Sequence, residues 1–196
     1  MAATSRFRIE WTTDVGTLVA VEPNLGDVAA QAAELAAGYN EPENAELMGH
    51  TDPLSEAEVL DHYTSLLAEG AHAFLLYREE QLLGDADLRG IRDGIGEFAF
   101  MIGRPAEQGR GLGTKFALMV HAFGFERLGL ERIYVSIVPN NGASLRVFEK
   151  LGYVFDESAE ARAFADEPDD LTMVIHRSTF ERRYPSLLAQ VRISVP

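Results

Sequence analysis

The sequence predicts an α/β fold in which helices flank one mixed, mostly antiparallel sheet. Its 196 residues, 46% of them hydrophobic, are enough for one domain with a substantial core, and we assign residues 1–196 to a single domain. Three consecutive strand patterns, at 71–77, 81–88 and 95–102, predict an antiparallel meander. A helical pattern at 115–128 separates the strand 95–102 from a strand at 132–138. These two strands are therefore predicted to be parallel neighbours.

The N-terminal third predicts a hairpin followed by two helices. Alternation at 7–11 and 17–21 indicates two strands joined by a turn at 14–16. Asp27 is the predicted cap of a helix that ends at Gly38. A capping box that begins at Ser55 predicts a second helix ending near 69–70, with a buried stripe of Val59, His62, Tyr63 and Leu66.

The remaining elements follow from apolar periodicity. Residues at i, i+3, i+4 and i+7 of the helix 115–128 should pack on the sheet: Phe116, Met119, Val120 and Phe123. Strands are predicted to begin at 153–155 and to cover 171–176, and a helical turn is predicted at 178–183. The tail 187–195 is apolar enough to pack on the core or on a second subunit.

Composition excludes several classes of function. The net charge of −14 argues against a nucleic-acid partner, and the simplest interpretation of the charge is that it keeps the protein soluble. No apolar run approaches about 18 residues, and residues 1–11 lack a signal-peptide pattern, so we expect a cytoplasmic protein without a membrane partner. There is no cysteine, and the five histidines never stand at metal-ligand spacing. We therefore expect neither disulfides nor a metal.

A glycine-rich turn between the strand 95–102 and the following helix predicts an anion site. Glycine permits positive φ and close approach of a ligand, and the first turn of a helix offers free N–H groups to a phosphate. The P-loop and dinucleotide patterns both fail here, because Thr114 precedes Lys115 and no third glycine stands at the required position. The pattern that fits is Q-x-x-G-x-G, formed by Gln108, Gly109, Arg110, Gly111, Leu112 and Gly113, with Thr114 after it.

This pattern resembles motif A of the GNAT superfamily of N-acetyltransferases, whose loop holds the pyrophosphate of acetyl-CoA. Residues 141–153, Asn-Gly-Ala-Ser-Leu-Arg-Val-Phe-Glu-Lys-Leu-Gly-Tyr, look like motif B of the same family. The Ser144 form leans toward the branch with ribosomal-protein N-terminal and polyamine acetyltransferases. The resemblance implies the GNAT-type (acyl-CoA N-acyltransferase) fold, with a splayed central parallel strand pair, and acetyl-CoA as cosubstrate without a metal.

Transfer of an acetyl group to an amine needs a base, a donor to the carbonyl oxygen and a means to stabilise the leaving thiolate. We predict Glu97 as the base. It shares an apolar strand face with Ile95, Ala99 and Met101. A carboxylate on such a face either points into a cleft, where it could act as a base, or lies at an exposed strand end. The distance of Glu97 from Gln108 also resembles the spacing of a glutamate base in several GNAT enzymes.

Further site residues are implied by the resemblance. A backbone N–H near Met101 would bind the carbonyl oxygen, and Met101, Ile102 and Gly103 would line the pantetheine arm. Asn141 is implied as a polar contact to this arm, which is compatible with capping the short helix. Arg110 would face phosphate, unless it is an ordinary solvated loop arginine.

The general acid departs from the family pattern. Many GNAT enzymes carry a tyrosine where this chain has Phe148, which can pack against the thioester arm but cannot give a proton. Water, Ser144 and Tyr153 stay open as alternatives. Because this tyrosine is missing, a second hypothesis stays open: a non-catalytic CoA-binding regulatory or interaction module. Transfer of a longer acyl group, set by the room around Met101 and Phe148, is a third.

Two acidic segments, 38–53 and 156–170, are expected to flank the acceptor groove, as their equivalents do in this fold. They favour a cationic acceptor, either a small-molecule amine such as a polyamine or aminoglycoside, or a basic peptide N-terminus; solvated loop charge is the alternative. Dimers are common in the superfamily, so the apolar tail leaves a homodimer open.

Overall fold

The computed structural model describes residues 6–48 and 52–195, and the strands in these ranges form one mixed sheet. The sheet order is β7-β8-β6-β5-β4-β3-β2-β1-β9. The strands are β1 Arg8–Thr13, β2 Gly16–Val21, β3 His72–Arg78, β4 Gln81–Arg92, β5 Ile95–Ile102, β6 Arg132–Ile137, β7 Val154–Phe155, β8 Leu171–His176 and β9 Arg192–Ser194.

Helices cover both faces of this sheet. They are α1 Leu25–Tyr39, α2 Pro42–Leu47, α3 Glu56–Ala68, α4 Leu112–Glu126, α5 Gly142–Leu151, α6 Ala159–Arg162, α7 Arg177–Arg183 and α8 Leu187–Gln190, with a short 3-10 turn at Pro105–Glu107. Within the described residues, no helix is long and apolar enough to cross a membrane.

The predicted meander and parallel pair are both confirmed. Strands β3, β4 and β5 pair antiparallel in sequence, and β5 pairs parallel with β6. The parallel pairing ends early: its last pair is Glu97 with Tyr134, although β5 continues to Ile102 and β6 to Ile137. The two strands therefore splay, and the β6-facing edge of β5 beyond Glu97 lacks a strand partner.

The helix α4 packs on one face of the sheet through the predicted stripe, whose four members are all fully buried. Even-numbered residues of β5, such as Phe98 and Ile102, join this core. Odd-numbered residues face the opposite side, where Met101 packs with α1 and α3 and Ile95 packs with Tyr134 and Phe164. The alternation predicted for Glu97 is therefore correct, and it places the carboxylate on the side away from α4.

Two local predictions need correction, and the structure selects one of the two alternatives given for the tail. Asn24, not Asp27, is the N-cap of α1; Asp27 is its reciprocal partner in a capping box. His62 is exposed rather than part of the buried stripe of α3, whose other three members are buried. The tail packs on its own core, because Leu187 and Val191 are buried and β9 pairs with β1. The tail thus provides no support for a homodimer, which stays a prediction.

Candidate active site

The glycine-rich turn adopts the conformation that motif A predicts. Gly109 and Gly111 have φ of 69° and 77°, and no heavy atom lies within 4 Å of a Cβ built on either residue. Gly111 is the N-cap of α4, and no side chain caps this end of the helix. The uncapped N–H groups of the first turn of α4 therefore border open space in which an anion could bind. Gly113 is required for a different reason, since its Cβ would lie 2.9 Å from the Phe100 ring.

Arg110 does not point freely into this space. Its Nη1 donates to Glu107 Oε2 at 2.9 Å, and Glu107 also accepts two hydrogen bonds from Arg78, at 2.9 and 2.7 Å. The Arg110 side chain remains 56% exposed. An anion that binds at the turn would compete with a surface ion pair, which is a weak interaction.

The free edge of β5 presents backbone groups of Phe100 and Ile102, not of Met101. The Met101 carbonyl is directed at β4, so closely that a Cβ on Gly84 would lie 1.9 Å from its oxygen. In an extended strand the polar groups of neighbouring residues point to opposite edges. In agreement, the Ile102 carbonyl accepts a hydrogen bond of 2.9 Å from Gln108 Nε2 on the splayed side. The donor role predicted for Met101 therefore fits Phe100 or Ile102 better.

The short helix α2 ties both sides of the splay together. Asn44 is buried; it donates to the carbonyls of Gly38 and Gly103 at 2.8 and 3.3 Å, and its Oδ1 accepts from Gln108 at 2.8 Å. On the other side, Asn141 Nδ2 donates to the Leu47 carbonyl at 3.4 Å. Asn141 also caps α5, because its Oδ1 accepts from the Ser144 N–H at 3.0 Å. The acidic segment predicted to rim the acceptor side thus lies across the splay; residues 49–51 fall outside the described ranges.

The structure separates the candidates for the general acid. Tyr153 is buried on the α4 side, where its hydroxyl lies 2.6 Å from Nε2 of the buried His121. Burial raises the pKa of Tyr153 well above its usual value and lowers that of His121 to about 4, so the neutral ring accepts from the hydroxyl. Tyr153 is therefore a core residue whose hydroxyl is bound to α4. Phe148 is also buried and packs edge-on against Phe98 and Phe100, whereas Ser144 is half-buried on α5.

Glu97 lies in a cluster of acidic residues on the face of β4 and β5 that is directed away from α4. It is 7% exposed and accepts two hydrogen bonds from Arg89, at 3.0 and 3.1 Å. Burial raises the pKa of Glu97, and the bonds from Arg89 oppose this rise. The predicted base is thus present on the expected face, but both its oxygens are bound.

Two further carboxylates of this cluster come from β4 and were not singled out in the sequence. Asp85 is buried, and its Oδ2 accepts hydrogen bonds from the hydroxyls of Tyr39 and Tyr63, the latter at 2.8 Å. Asp87 is 8% exposed, and its Oδ1 has no hydrogen-bond partner in the described residues. Burial raises the pKa of Asp87 to about 7, against the attraction of Arg89. The pattern that could have revealed them is an i, i+2 pair of acids within an otherwise apolar strand.

The second acidic segment reaches the same cluster. The Asp166 carboxylate, 66% exposed, lies 3.7 Å from Arg89, and its backbone N–H donates to Ser136 at 3.1 Å. Two other acidic residues of the segment 156–170 have partners within the protein: Glu160 pairs with Arg132, and Asp170 accepts a hydrogen bond from Ser136 at 2.7 Å. Near the end of β5, a cavity of about 210 Å³ is lined in part by Glu34, Glu41 and Met101. Within the described ranges, no three His, Asp or Glu side chains could together hold a metal ion.

Comparison with characterised proteins supports one fold. The mycobacterial RimJ from Mycobacterium smegmatis, solved with CoA-disulfide, superposes with a TM-score of 0.72 at 16% identity, covering 94% of this chain and 96% of RimJ. Aminoglycoside acetyltransferase AAC(6')-Ib with coenzyme A gives 0.66 at 22%, covering 79% and 94%. Spermidine N-acetyltransferase from Vibrio cholerae with CoA and spermine gives 0.66 at 20%, covering 83% and 97%. At these identities the likeness concerns the fold.

Similarity in sequence to known proteins, and to the model of one protein family, identifies the family of this chain. The chain is 31% identical over 96 residues to α/β-tubulin-N-acetyltransferase 9 of Mus musculus, a match that covers 45% of this chain and 39% of the mouse protein. The human protein is 34% identical over 79 residues, covering 40% and 37%. The matched part thus spans well under half of these relatives. The acetyltransferase (GNAT) domain model matches residues 22–154, about two thirds of the chain. The chain belongs to the GNAT acetyltransferase family.

Proposed function

We propose that this protein is an N-acetyltransferase that moves the acetyl group of acetyl-CoA to the primary amine of a cationic acceptor, by direct attack in a ternary complex. The observation that carries the proposal is the splay between β5 and β6, which opens beside the uncapped first turn of α4. One side of this opening offers N–H groups to a diphosphate, and the other offers an unpaired strand edge to an extended amide chain.

The residues present fit acetyl-CoA, which supplies an acetyl group activated as a thioester. The diphosphate would lie against Gly109, Gly111 and the first N–H groups of α4, where the glycines leave open space. The pantetheine amides would pair with the free edge of β5 at Phe100 and Ile102. Asn141, at the start of α5, would contact the same arm from the opposite side. Acetyl-CoA-bound and CoA-bound relatives of the same fold support this assignment.

A cationic acceptor is supported by the charges that surround the opening. The face of β4 and β5 carries three buried carboxylates, one of which is paired with Arg89, and Asp166 lies at its rim. Glu43 and Glu46 are exposed on α2, which lies across the splay. An ammonium group would be attracted by this field and an anionic substrate repelled. The related folds that bind spermine or kanamycin and the tubulin acetyltransferase relatives are consistent with either a small polyamine or a protein N-terminus.

Two measurements test the proposal. Titration with CoA should give saturable heat, and release of free CoA from acetyl-CoA should depend on an added amine. We would compare spermine, kanamycin, a basic peptide with a free N-terminus and the same peptide with an acidic sequence, each at low and high salt. A cationic amine should be the best acceptor, with a turnover that falls as salt rises. A best substrate that is anionic would refute the charge argument, and absence of turnover with every amine would refute the enzyme.

A non-catalytic CoA-binding module is the second candidate, and one observation favours it. Phe148 occupies the position of the family tyrosine, and Tyr153 is bound to His121 away from the splay. A module would bind CoA with the same heat but would never release it from acetyl-CoA faster than buffer does. Because Ser144 is half-buried near the start of α5, the enzyme hypothesis retains Ser144 or water as proton donors to the thiolate.

A further inference from the structure

Asp87 differs from the other two buried carboxylates on its face of the sheet. Asp85 is held by two tyrosine hydroxyls and Glu97 by two bonds from Arg89. Asp87 Oδ1 accepts no hydrogen bond in the described part of the chain, and Arg89 Nε, at 3.8 Å, is too far to donate one. The Arg89 contact is thus an ion pair without a hydrogen bond. A buried carboxylate oxygen that accepts no hydrogen bond is unfavourable unless a ligand or a proton satisfies it.

Asp87 lies close to the splay in the strand register. Asp87 stands directly opposite Ala99 in the pairing of β4 with β5, and Ala99 is the second residue beyond the last pair of β5 with β6. Ala99 is half-buried and carries only a methyl group. Only the methyl group of Ala99 therefore separates Asp87 from the splayed part of β5 in the register, whereas Glu97 lies where the two strands are still paired.

We propose that Asp87 is the general base that removes the proton from the acceptor ammonium, and that Glu97 is a positioning residue that holds Arg89 away from Asp87. This inference rests on the function proposed above and names the base of that same site. It replaces the sequence-based assignment of the base to Glu97.

The argument is that a base needs a free oxygen and an affinity for protons suited to neutral pH. Burial raises the pKa of Glu97 too, but both of its oxygens accept bonds from a guanidinium, which opposes this rise and leaves neither oxygen free. Asp87 has the free oxygen, and burial raises its pKa to about 7. The charged and titratable groups around it come from five elements or loops: Asp85 and Arg89 on β4, Glu97 on β5, Tyr39 on α1, Tyr63 on α3 and Asp166 in the loop after α6.

The proton balance of the step is complete without another reactant. Asp87 takes one proton from the bound ammonium, and the nitrogen lone pair then attacks the thioester carbonyl. The C–N bond forms and the C–S bond breaks, while the second nitrogen proton reaches the CoA sulfur through solvent. Asp87 returns its proton to solvent, so that an ammonium and acetyl-CoA become an amide, CoA and one free proton.

The test is the pH dependence of kcat/KM between pH 5 and 9, measured with acetyl-CoA and the best amine of the panel. The wild type should show a rate that rises with pH to a plateau, with a midpoint near 7. Asp87→Asn should lower kcat by about 100-fold or more and abolish this rise, with an unchanged Kd for CoA. Asp87→Glu, which keeps a carboxylate, should recover part of the rate and the rise.

Glu97→Gln distinguishes positioning from proton transfer. Loss of the Glu97 charge frees Arg89, whose nearest carboxylates are then Asp87 and Asp166. The midpoint of the pH profile should therefore move to lower pH, while the rise itself remains. Asp85→Asn is the comparison on the same strand face. Its amide oxygen can still accept from Tyr39 and Tyr63. Because burial and the negative charge of Asp85 both contribute to the raised pKa of Asp87, loss of this charge should move the midpoint to lower pH, while the rise and the plateau rate remain.

The outcomes separate the hypotheses. If Asp87→Asn keeps the rate and pH profile of an active wild type, the inference is wrong. If Glu97→Gln abolishes the rise and Asp87→Asn does not, the base is Glu97. A wild type that binds CoA but acetylates no amine rejects the enzyme and the inference together.

Discussion

The raised pKa of Asp87 should make the stability of the protein depend on pH, and this dependence can be measured without any assay of activity. The pKa of Asp87 is about 7 in the folded protein and 3.8 in an ordinary aspartate. The folded state therefore holds this proton more strongly than the unfolded chain does. The stabilisation that the protonated form contributes is fully present below pH 3.8 and is lost as the pH rises to 7. A gap of about three pH units corresponds to about 4 kcal/mol over the whole window.

Asp87→Asn removes this titrating group with little change in side-chain shape. The free energy of unfolding of the variant, relative to that of the wild type, should therefore increase with pH. Between pH 5 and pH 8, the free energy of unfolding of the variant should gain about 2.5 kcal/mol relative to the wild type. Urea unfolding of both proteins at the two pH values measures this difference. The variant that loses activity should thus be the more stable protein at pH 8.

The matched control is Asp166→Asn, which removes the same formal charge from the exposed rim of the cluster. Substitutions at exposed positions usually change stability by less than about 0.5 kcal/mol, and we expect that here at both pH values. If the advantage of Asp87→Asn is the same at pH 5 and pH 8, Asp87 does not titrate in this window, and the argument from burial is refuted.

Three further predictions concern the glycine-rich turn, the core and α2. Gly111→Ala should cost about 1–2 kcal/mol through its positive φ and should also weaken CoA binding, whereas Gly129→Ala, with a similar φ and similar open space outside the site, should cost the same and leave the CoA Kd unchanged. Tyr153→Phe should lower the free energy of unfolding by about 1–3 kcal/mol, because the buried His121 loses its donor, and should leave kcat unchanged; a large loss of kcat would restore Tyr153 as the acid. Asn44→Ala should raise KM for the amine and for acetyl-CoA, since it releases α2 from the β5 side of the splay; unchanged steady-state kinetics would show that α2 does not order the site.

The positions that local chemistry constrains were predictable from the sequence. The turn at 108–114 has positive φ at Gly109 and Gly111 because only glycine adopts it without strain, and the same glycines carry the family motif. The stripe of α4 is buried because its spacing matches the helical repeat. Alternation along β5 placed Glu97 on the correct face, because side chains of a strand alternate by geometry alone. For these features the relevant interactions lie within a few residues along the chain.

What the sequence left open depends on contacts between distant segments. Whether Glu97 or Asp87 has a free oxygen is decided by Arg89, whose guanidinium lies across two strands, and by burial under α1, α3 and the loop after α6. The hydroxyl of Tyr153 is bound to His121, which is 32 residues away in the sequence, and local patterns could not predict this contact. Hydrogen-bond partners and desolvation set the proton affinity of a carboxylate, and both arise only when the chain has folded. The sequence by itself therefore determined the family, the glycine-rich turn and the face of the sheet on which Glu97 lies, and the tertiary structure decided which acid on that face has an oxygen without a hydrogen bond.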